Sequence, residues 1–134
     1  MTGCAAMRIV VIEDNDEARE TLREALTELQ HQVSAAPDGM AGLELVVDTK
    51  PDVALVDIGL PRLDGYEVAR QIRLRCDRSA PRLIAMTGYG QPEDRARAEA
   101  AGFDHHLVKP VSLDRLQRLL AAVAAGRRSA ALDA

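Results

Sequence analysis

Apolar positions along this chain alternate between two textures: short unbroken runs and longer stretches with helical spacing. The first run, Arg8-Ile-Val-Val-Ile-Glu13, is β-branched and continuous and predicts a strand. Ala18, Leu22, Ala25, Leu26 and Leu29 then recur on one helical face, behind Asp14-Asn15-Asp16, whose side chains can cap the start. A weaker run, Gln32-Val-Ser-Ala-Ala36, is broken by the turn signal Pro37-Asp38-Gly39. Leu43, Val46 and Val47 mark a second helix that stops before Pro51. Asp52-Val-Ala-Leu-Val-Asp57 predicts the third strand, and the loop Ile58 to Gly65 leads to a helix on Val68, Ala69, Ile72 and Cys76. The fourth run is Arg82-Leu-Ile-Ala-Met-Thr87. Its loop, Gly88-Tyr-Gly-Gln-Pro92, opens an alanine-rich helix closed by Gly102. His105-His-Leu-Val-Lys109 and Pro110 follow, and Ser112 caps a last helix on Leu113, Leu116, Leu119, Leu120 and Val123.

Five strands alternating with five helices predict an α/β fold with a parallel sheet covered on both faces. The chain of 134 residues suits one domain. Its expected division is an N-terminal extension over 1–7, the domain over 8–125 and a frayed tail over 126–134. With 47% hydrophobic and 28% charged residues the composition is globular. A net charge of −4 and a pI near 5.4 argue against a domain that coats phosphate backbones, so no direct nucleic-acid partner is expected. No apolar run reaches the ~20 residues of a membrane helix, and the first residues lack the form of a secretory signal. Cys4 and Cys76 make no disulfide framework or metal motif, which points to a reduced, cytoplasmic setting. Of the 17 basic residues only Lys50 and Lys109 are lysine. A lysine at the end of an apolar segment is therefore conspicuous.

The strand ends carry the chemistry. The first strand ends in Glu13-Asp14, the third in Asp57, the fourth in Thr87 and the fifth in Lys109. In a parallel sheet these ends share one edge. In the order 2-1-3-4-5 strands one and three are neighbours at the switch point, where ligands bind. Three carboxylates then lie side by side and raise one another's pKa, a conflict that a hard divalent cation resolves. Mg²⁺, which takes one or two carboxylates, a phosphate and waters, fits the set, with Mn²⁺ an alternative. Thr87 offers a hydroxyl and Lys109 a compact positive charge to a phosphoryl oxygen. Asp57 is the candidate nucleophile, forming an acyl phosphate. Taken singly, each residue has an ordinary role as turn, cap or surface lysine. Their coincidence on one edge gives the functional reading its weight.

The segments Ile12-Glu-Asp-Asn15, Val56-Asp-Ile-Gly-Leu-Pro-Arg-Leu-Asp-Gly65, Ala85-Met-Thr-Gly88 and Leu107-Val-Lys-Pro110, in this order, resemble the receiver domain of two-component response regulators. The resemblance covers about Arg8 to Ala125. It implies a flavodoxin-like, doubly wound (βα)5 fold. It further implies that Asp57 is phosphorylated by a histidine kinase or histidine phosphotransfer protein. Asp14 would ligate the metal directly and Glu13 through water, while the backbone carbonyl of Gly59 completes the protein ligands. Thr87 and Lys109 would bind phosphoryl oxygens, and the Lys109-Pro110 bond would be cis. Phosphorylation would shift the face made by the fourth helix, fifth strand and fifth helix, which meets a downstream protein. His106 stands where the family has an aromatic switch residue coupled to Thr87, and an imidazole brings titration near neutral pH. Gly59 and Tyr89 would flank the path of the water that slowly removes the phosphoryl group. Such a protein is a signalling phosphoacceptor, not a turnover enzyme. Met86-Thr-Gly-Tyr-Gly-Gln and Phe103 to Pro110 resemble receivers of hybrid sensor kinases. The few residues after the last helix are too short for a DNA-binding domain, so the chain is read as stand-alone or as a segment of a longer protein.

Other readings fit less well. A haloacid-dehalogenase phosphatase needs an acid two residues after its nucleophile, where this chain has Gly59. A topoisomerase-primase metal domain fails at the same residue. A flavin-binding domain needs a phosphate loop where Glu13-Asp14 stand, the wrong charge for a phosphate. A pseudo-receiver that docks without phosphorylation is the remaining alternative.

Overall fold

The computed structural model describes residues 6–76, 80–88 and 92–126. Five strands, β1 (Arg8–Ile12), β2 (Gln32–Ala36), β3 (Val53–Asp57), β4 (Arg82–Thr87) and β5 (His105–Val108), alternate with five helices. The helices are α1 (Asp16–Glu28), α2 (Gly39–Thr49), α3 (Gly65–Cys76), α4 (Pro92–Ala101) and α5 (Leu113–Ala124). The strands form one parallel sheet in the order β2-β1-β3-β4-β5, the doubly wound arrangement the alternation predicts. No helix among the described residues is long and apolar enough to cross a membrane.

The sheet divides two apolar clusters, as side-chain alternation along buried strands requires. Val10, Ile12, Val56, Leu83 and Ala85 face α2, α3 and α4, meeting Leu43, Ile72, Ala98 and Phe103. Ile9, Val11, Leu55, Ile84 and Met86 face α1 and α5, meeting Leu26, Leu116 and Leu120. Every residue of β3 is buried. β2, at the sheet edge, is mostly half-exposed, which accounts for its weak hydrophobic signature. Met7, assigned to the extension on sequence, is also buried and donates its N–H to His31 Nδ1 at 3.0 Å.

The helix caps are those the sequence offers, with one change. The side chains of Asn15 and Ser112 accept from the backbone N–H groups of Ala18 and Arg115. α4 ends at Gly102, whose φ of +110° suits a residue without a Cβ. Asp38, expected in a turn, instead caps α2 by accepting from Ala41 N–H at 2.8 Å, so Gly39 opens the helix. The difference is slight, because an Asp that bonds the backbone three residues on serves a turn or a helix start equally well.

Candidate phosphoacceptor site

The C-terminal ends of β1, β3, β4 and β5 converge as the topology requires. Glu13, directly after β1, is nearly inaccessible, and Asp57, the last residue of β3, is buried. Asp14 is exposed beside them, and one carboxylate oxygen from each of the three lies within 4.8 Å of the others. Lys109, just past β5, reaches across with Nζ 3.0 Å from Glu13 Oε1 and 3.1 Å from Asp57 Oδ2. Thr87 ends β4 and is buried, and its carbonyl accepts from Lys109 N–H at 2.7 Å. The following Lys109-Pro110 peptide is cis.

The backbone fixes these side chains. Asp57 Oδ1 accepts from Gly59 N–H at 3.0 Å, and Ile58 N–H bonds the carbonyl of Met86, continuing the β3–β4 ladder past the acidic residue. Gly65 lies against this turn: a Cβ there would meet the Asp57 carbonyl oxygen at 2.5 Å and Ile58 Cα at 2.8 Å. Only a residue without a side chain lets α3 start so close to the acidic turn. On the other side, Glu13 Oε2 accepts from Asn15 N–H at 3.0 Å and Arg19 donates to the Glu13 carbonyl at 3.0 Å.

The electrostatics are those of a crowded acidic site with one ammonium, that of Lys109, against it among the described residues. Burial pushes the Glu13 carboxyl above its ordinary pKa, and the Asp57 charge adds to this. The Asn15 N–H and Lys109 pull against it. For Lys109, burial alone would lower the pKa. Its hydrogen bonds to Glu13 and Asp57, with their charges, outweigh burial and hold it raised, so the ammonium stays charged. Three carboxylates against one ammonium leave an excess of hard oxygen donors at the rim, which suits a small divalent cation.

The sequence-read residues therefore assemble in part. Glu13, Asp14, Asp57 and Lys109 form one cluster, and Gly59 holds Asp57 through its N–H. His106 is half-buried on β5, two residues before Val108, the register partner of Thr87. Tyr89 and the tail over 127–134 lie outside the described residues. Sequence reading missed a buried polar centre at the opposite end of the sheet. There Asp104 accepts from Leu83 N–H at 2.9 Å and from Arg73 at 2.7 Å, with Arg82 3.9 Å away. Arg73 also donates to the Gly102 carbonyl. Nothing in the local pattern marks this set, since Arg73 and Asp104 meet only in the folded chain.

The response regulator receiver domain family matches residues 9–121. This chain belongs to that family. The receiver is 36% identical over 110 residues to response regulator MprA of Mycobacterium sp. (strain KMS), covering 82% of this chain and 47% of that protein. MprA of Mycobacterium leprae (strain TN) is 37% identical over 110 residues, with the same coverage. The chain thus spans about half the length of the curated relatives it matches. Among solved structures, the receiver domain of a sensor histidine kinase from Pseudomonas aeruginosa PAO1 superposes with a TM-score of 0.81 at 30% identity, covering 90% of this chain and 99% of that one. That structure holds a magnesium ion in its active site cleft. The receiver of Ssk1 from Saccharomyces cerevisiae, solved with the phosphotransfer protein Ypd1, superposes with a TM-score of 0.85 at 22% identity, covering 92% of each chain, and shows the shared fold.

Proposed function

We propose that this receiver spans residues 8–125 and takes a phosphoryl group on Asp57 from a phosphohistidine of a histidine kinase or phosphotransfer protein. The observation that carries the reading is the convergence of Glu13, Asp14, Asp57 and Lys109 at one end of the sheet. Mg²⁺, or Mn²⁺ in its place, fits the donor set: Asp14 and Asp57 as direct ligands, the Gly59 carbonyl beside them and Glu13 through water. The cation supplies neutralisation of negative charge between the acceptor and the incoming phosphoryl group. The protein's own part is positioning. Gly59 N–H and Lys109 hold the two oxygens of Asp57. A carboxylate oxygen of Asp57 forms the new O–P bond while the P–N bond of phosphohistidine breaks, its electron pair returning to the imidazole nitrogen. Lys109 and the Thr87 hydroxyl then receive phosphoryl oxygens, and the movement of Thr87 is passed to His106 and the face formed by α4, β5 and α5.

A cleft of about 500 Å³ beside the site, lined by Ala18, Thr21 and Leu22 of α1 and by Lys109, Pro110 and Val111, gives a protein donor room to approach. A Cβ on Gly59 would stand 3.7 Å from Asp57 Oδ1, so its absence leaves that flank open to the water that ends the signal. The deciding experiment is incubation with acetyl phosphate and Mg²⁺, read by intact mass and phosphoprotein electrophoresis. The expected result is a single acid-stable, base-labile phosphoryl group, lost without Mg²⁺ and in Asp57→Ala. Undiminished Mg²⁺-dependent labelling of Asp57→Ala overturns the assignment. A folded protein that takes no label is a docking module instead.

A further inference from the structure

Asp14 is the exposed member of the acidic cluster, and its backbone is held from both sides. The peptide group before it carries the Glu13 carbonyl, which accepts from Arg19 Nη1 at 3.0 Å. The peptide group after it carries the Asn15 N–H, which donates to Glu13 Oε2 at 3.0 Å. Each peptide is a rigid plane, so holding the oxygen of one and the N–H of the next fixes both backbone angles at Asp14. The direction in which its side chain leaves the backbone is therefore set before any ligand arrives.

Arg19 supplies the half of this arrangement that comes from a distant side chain. Its own N–H bonds the Asn15 carbonyl at 2.9 Å in the first turn of α1, while its guanidinium turns back to the end of β1. There Nη2 also meets Asp16 Oδ1 at 2.6 Å. The Arg19 side chain is only 16% exposed, against 89% for Asp16, so it is the buried partner of the pair. A planar guanidinium can hold two acceptors at a fixed separation, here the last carbonyl before the acidic turn and the first residue of the helix. The Glu13 N–H already bonds the Ala36 carbonyl at 3.1 Å, so with Arg19 both backbone polar groups of Glu13 are satisfied. Neither Arg19 bond uses a carboxylate oxygen of Glu13, Asp14 or Asp57.

We infer that Arg19 is a positioning residue for Asp14: by holding the Glu13 carbonyl it presets the backbone of an exposed metal ligand. The inference rests on the acidic cluster holding the divalent cation proposed above. A ligand whose backbone is already ordered loses less conformational freedom on binding. The competing account, that Arg19 only adds positive charge near the site, predicts the opposite sign. A charge of that kind repels Mg²⁺, and its removal would tighten metal binding. Loss of a positioning group weakens binding in spite of the relieved repulsion. Asp16 offsets the charge of the guanidinium and lets the positioning effect prevail.

The test is calorimetric titration of the full chain with Mg²⁺, comparing the parent with Arg19→Met and Arg23→Met, each checked for folding by circular dichroism. Both substitutions remove one arginine charge from α1, but Arg23 pairs with Glu20 on the exposed side of the helix. The expected result is Mg²⁺ binding about tenfold weaker in Arg19→Met, the lower end of what removing an outer-shell partner of a metal ligand does. Arg23→Met binds as the parent does or slightly more tightly. Labelling of Arg19→Met by acetyl phosphate is slow at low Mg²⁺ and recovers as Mg²⁺ is raised. Arg19→Lys, which keeps the charge but has a single point donor, gives a smaller weakening and carries the test if Arg19→Met does not fold. Unchanged or tighter Mg²⁺ binding by the folded Arg19 variant, in a parent that labels normally, overturns this inference and leaves the phosphoacceptor reading intact. A parent that neither binds Mg²⁺ nor labels overturns both.

Discussion

Lys109 competes with any cation for the same oxygens, and this gives its removal two effects of opposite sign. Its ammonium lies 3.0 Å from Glu13 Oε1 and 3.1 Å from Asp57 Oδ2, with a third of the side chain exposed. At that exposure the surrounding water sets the effective screening, and each contact is worth roughly 1.4 kcal/mol at the dielectric constant of water. Lys109→Met keeps the apolar stem and removes the charge. Relief of one such contact corresponds to about tenfold in an equilibrium constant. Magnesium is therefore expected to bind Lys109→Met about tenfold more tightly than the parent, measured by calorimetric titration. Without metal the three carboxylates repel one another with no ammonium between them, so the thermal midpoint of the variant falls and magnesium restores more of it. Phosphorylation moves the other way. The charge that faces the transferred oxygens is gone, and labelling by acetyl phosphate slows at saturating magnesium. Weaker magnesium binding, or a labelling rate equal to that of the parent, would refute the placement of Lys109 as both competitor for metal and partner of the phosphoryl group.

Asp104→Ala leaves the buried Leu83 N–H without its acceptor and Arg73 without its carboxylate. Arg73 is a third exposed and keeps the Gly102 carbonyl, so most of the expected loss of about 2–3 kcal/mol in urea unfolding comes from the orphaned N–H. Gly65→Ala drives a Cβ into the Asp57 carbonyl and is expected to cost about 1–3 kcal/mol and to slow labelling as the acceptor turn moves, whereas a surface alanine in mid-α3 does neither. His31 Nδ1 accepts the Met7 N–H, and burial holds its pKa below the ordinary 6.5. Its contribution to stability is complete above pH 6.5 and is lost as the pH falls toward the lowered folded value, because the unfolded chain then binds the proton more readily. His31→Gln is expected to flatten the acid side of a stability profile measured by chemical unfolding, and an unaltered slope would exclude His31 as its source.

The order of elements is readable because each buried strand is a continuous apolar run that stops at a polar residue, and because the parallel sheet brings all those stops to one edge. Asp57 shows this most directly. It closes Val53–Asp57, a strand buried at every position, and a carboxylate at the end of such a run marks either a cap or a site. Glu13 and Lys109 resolve the ambiguity, since they end strands on either side of it and meet it in space. The histidine pair on β5 follows from alternation as well: His105 pairs with Ile84 and is buried, while His106 pairs with Ala85 on the opposite face.

What stayed hidden shares a physical cause. Arg73 has the spacing of an ordinary surface residue on α3, and Asp104 reads as a polar residue before a strand. Their pairing exists only because α3 and the start of β5 run past the N-terminal end of β4. Gly65 reads as loop punctuation, and only the approach of α3 to the Asp57 carbonyl shows why a side chain is excluded. The Asn15 N–H that holds Glu13 belongs to the backbone and leaves no trace in residue identity. Functional residues at strand ends are exposed by topology, because their chemical types must converge whatever the packing details. The groups that hold those residues in place depend on close approach between distant segments. Positioning residues in a fold of this kind are accordingly found by distance, and the acidic cluster itself by pattern.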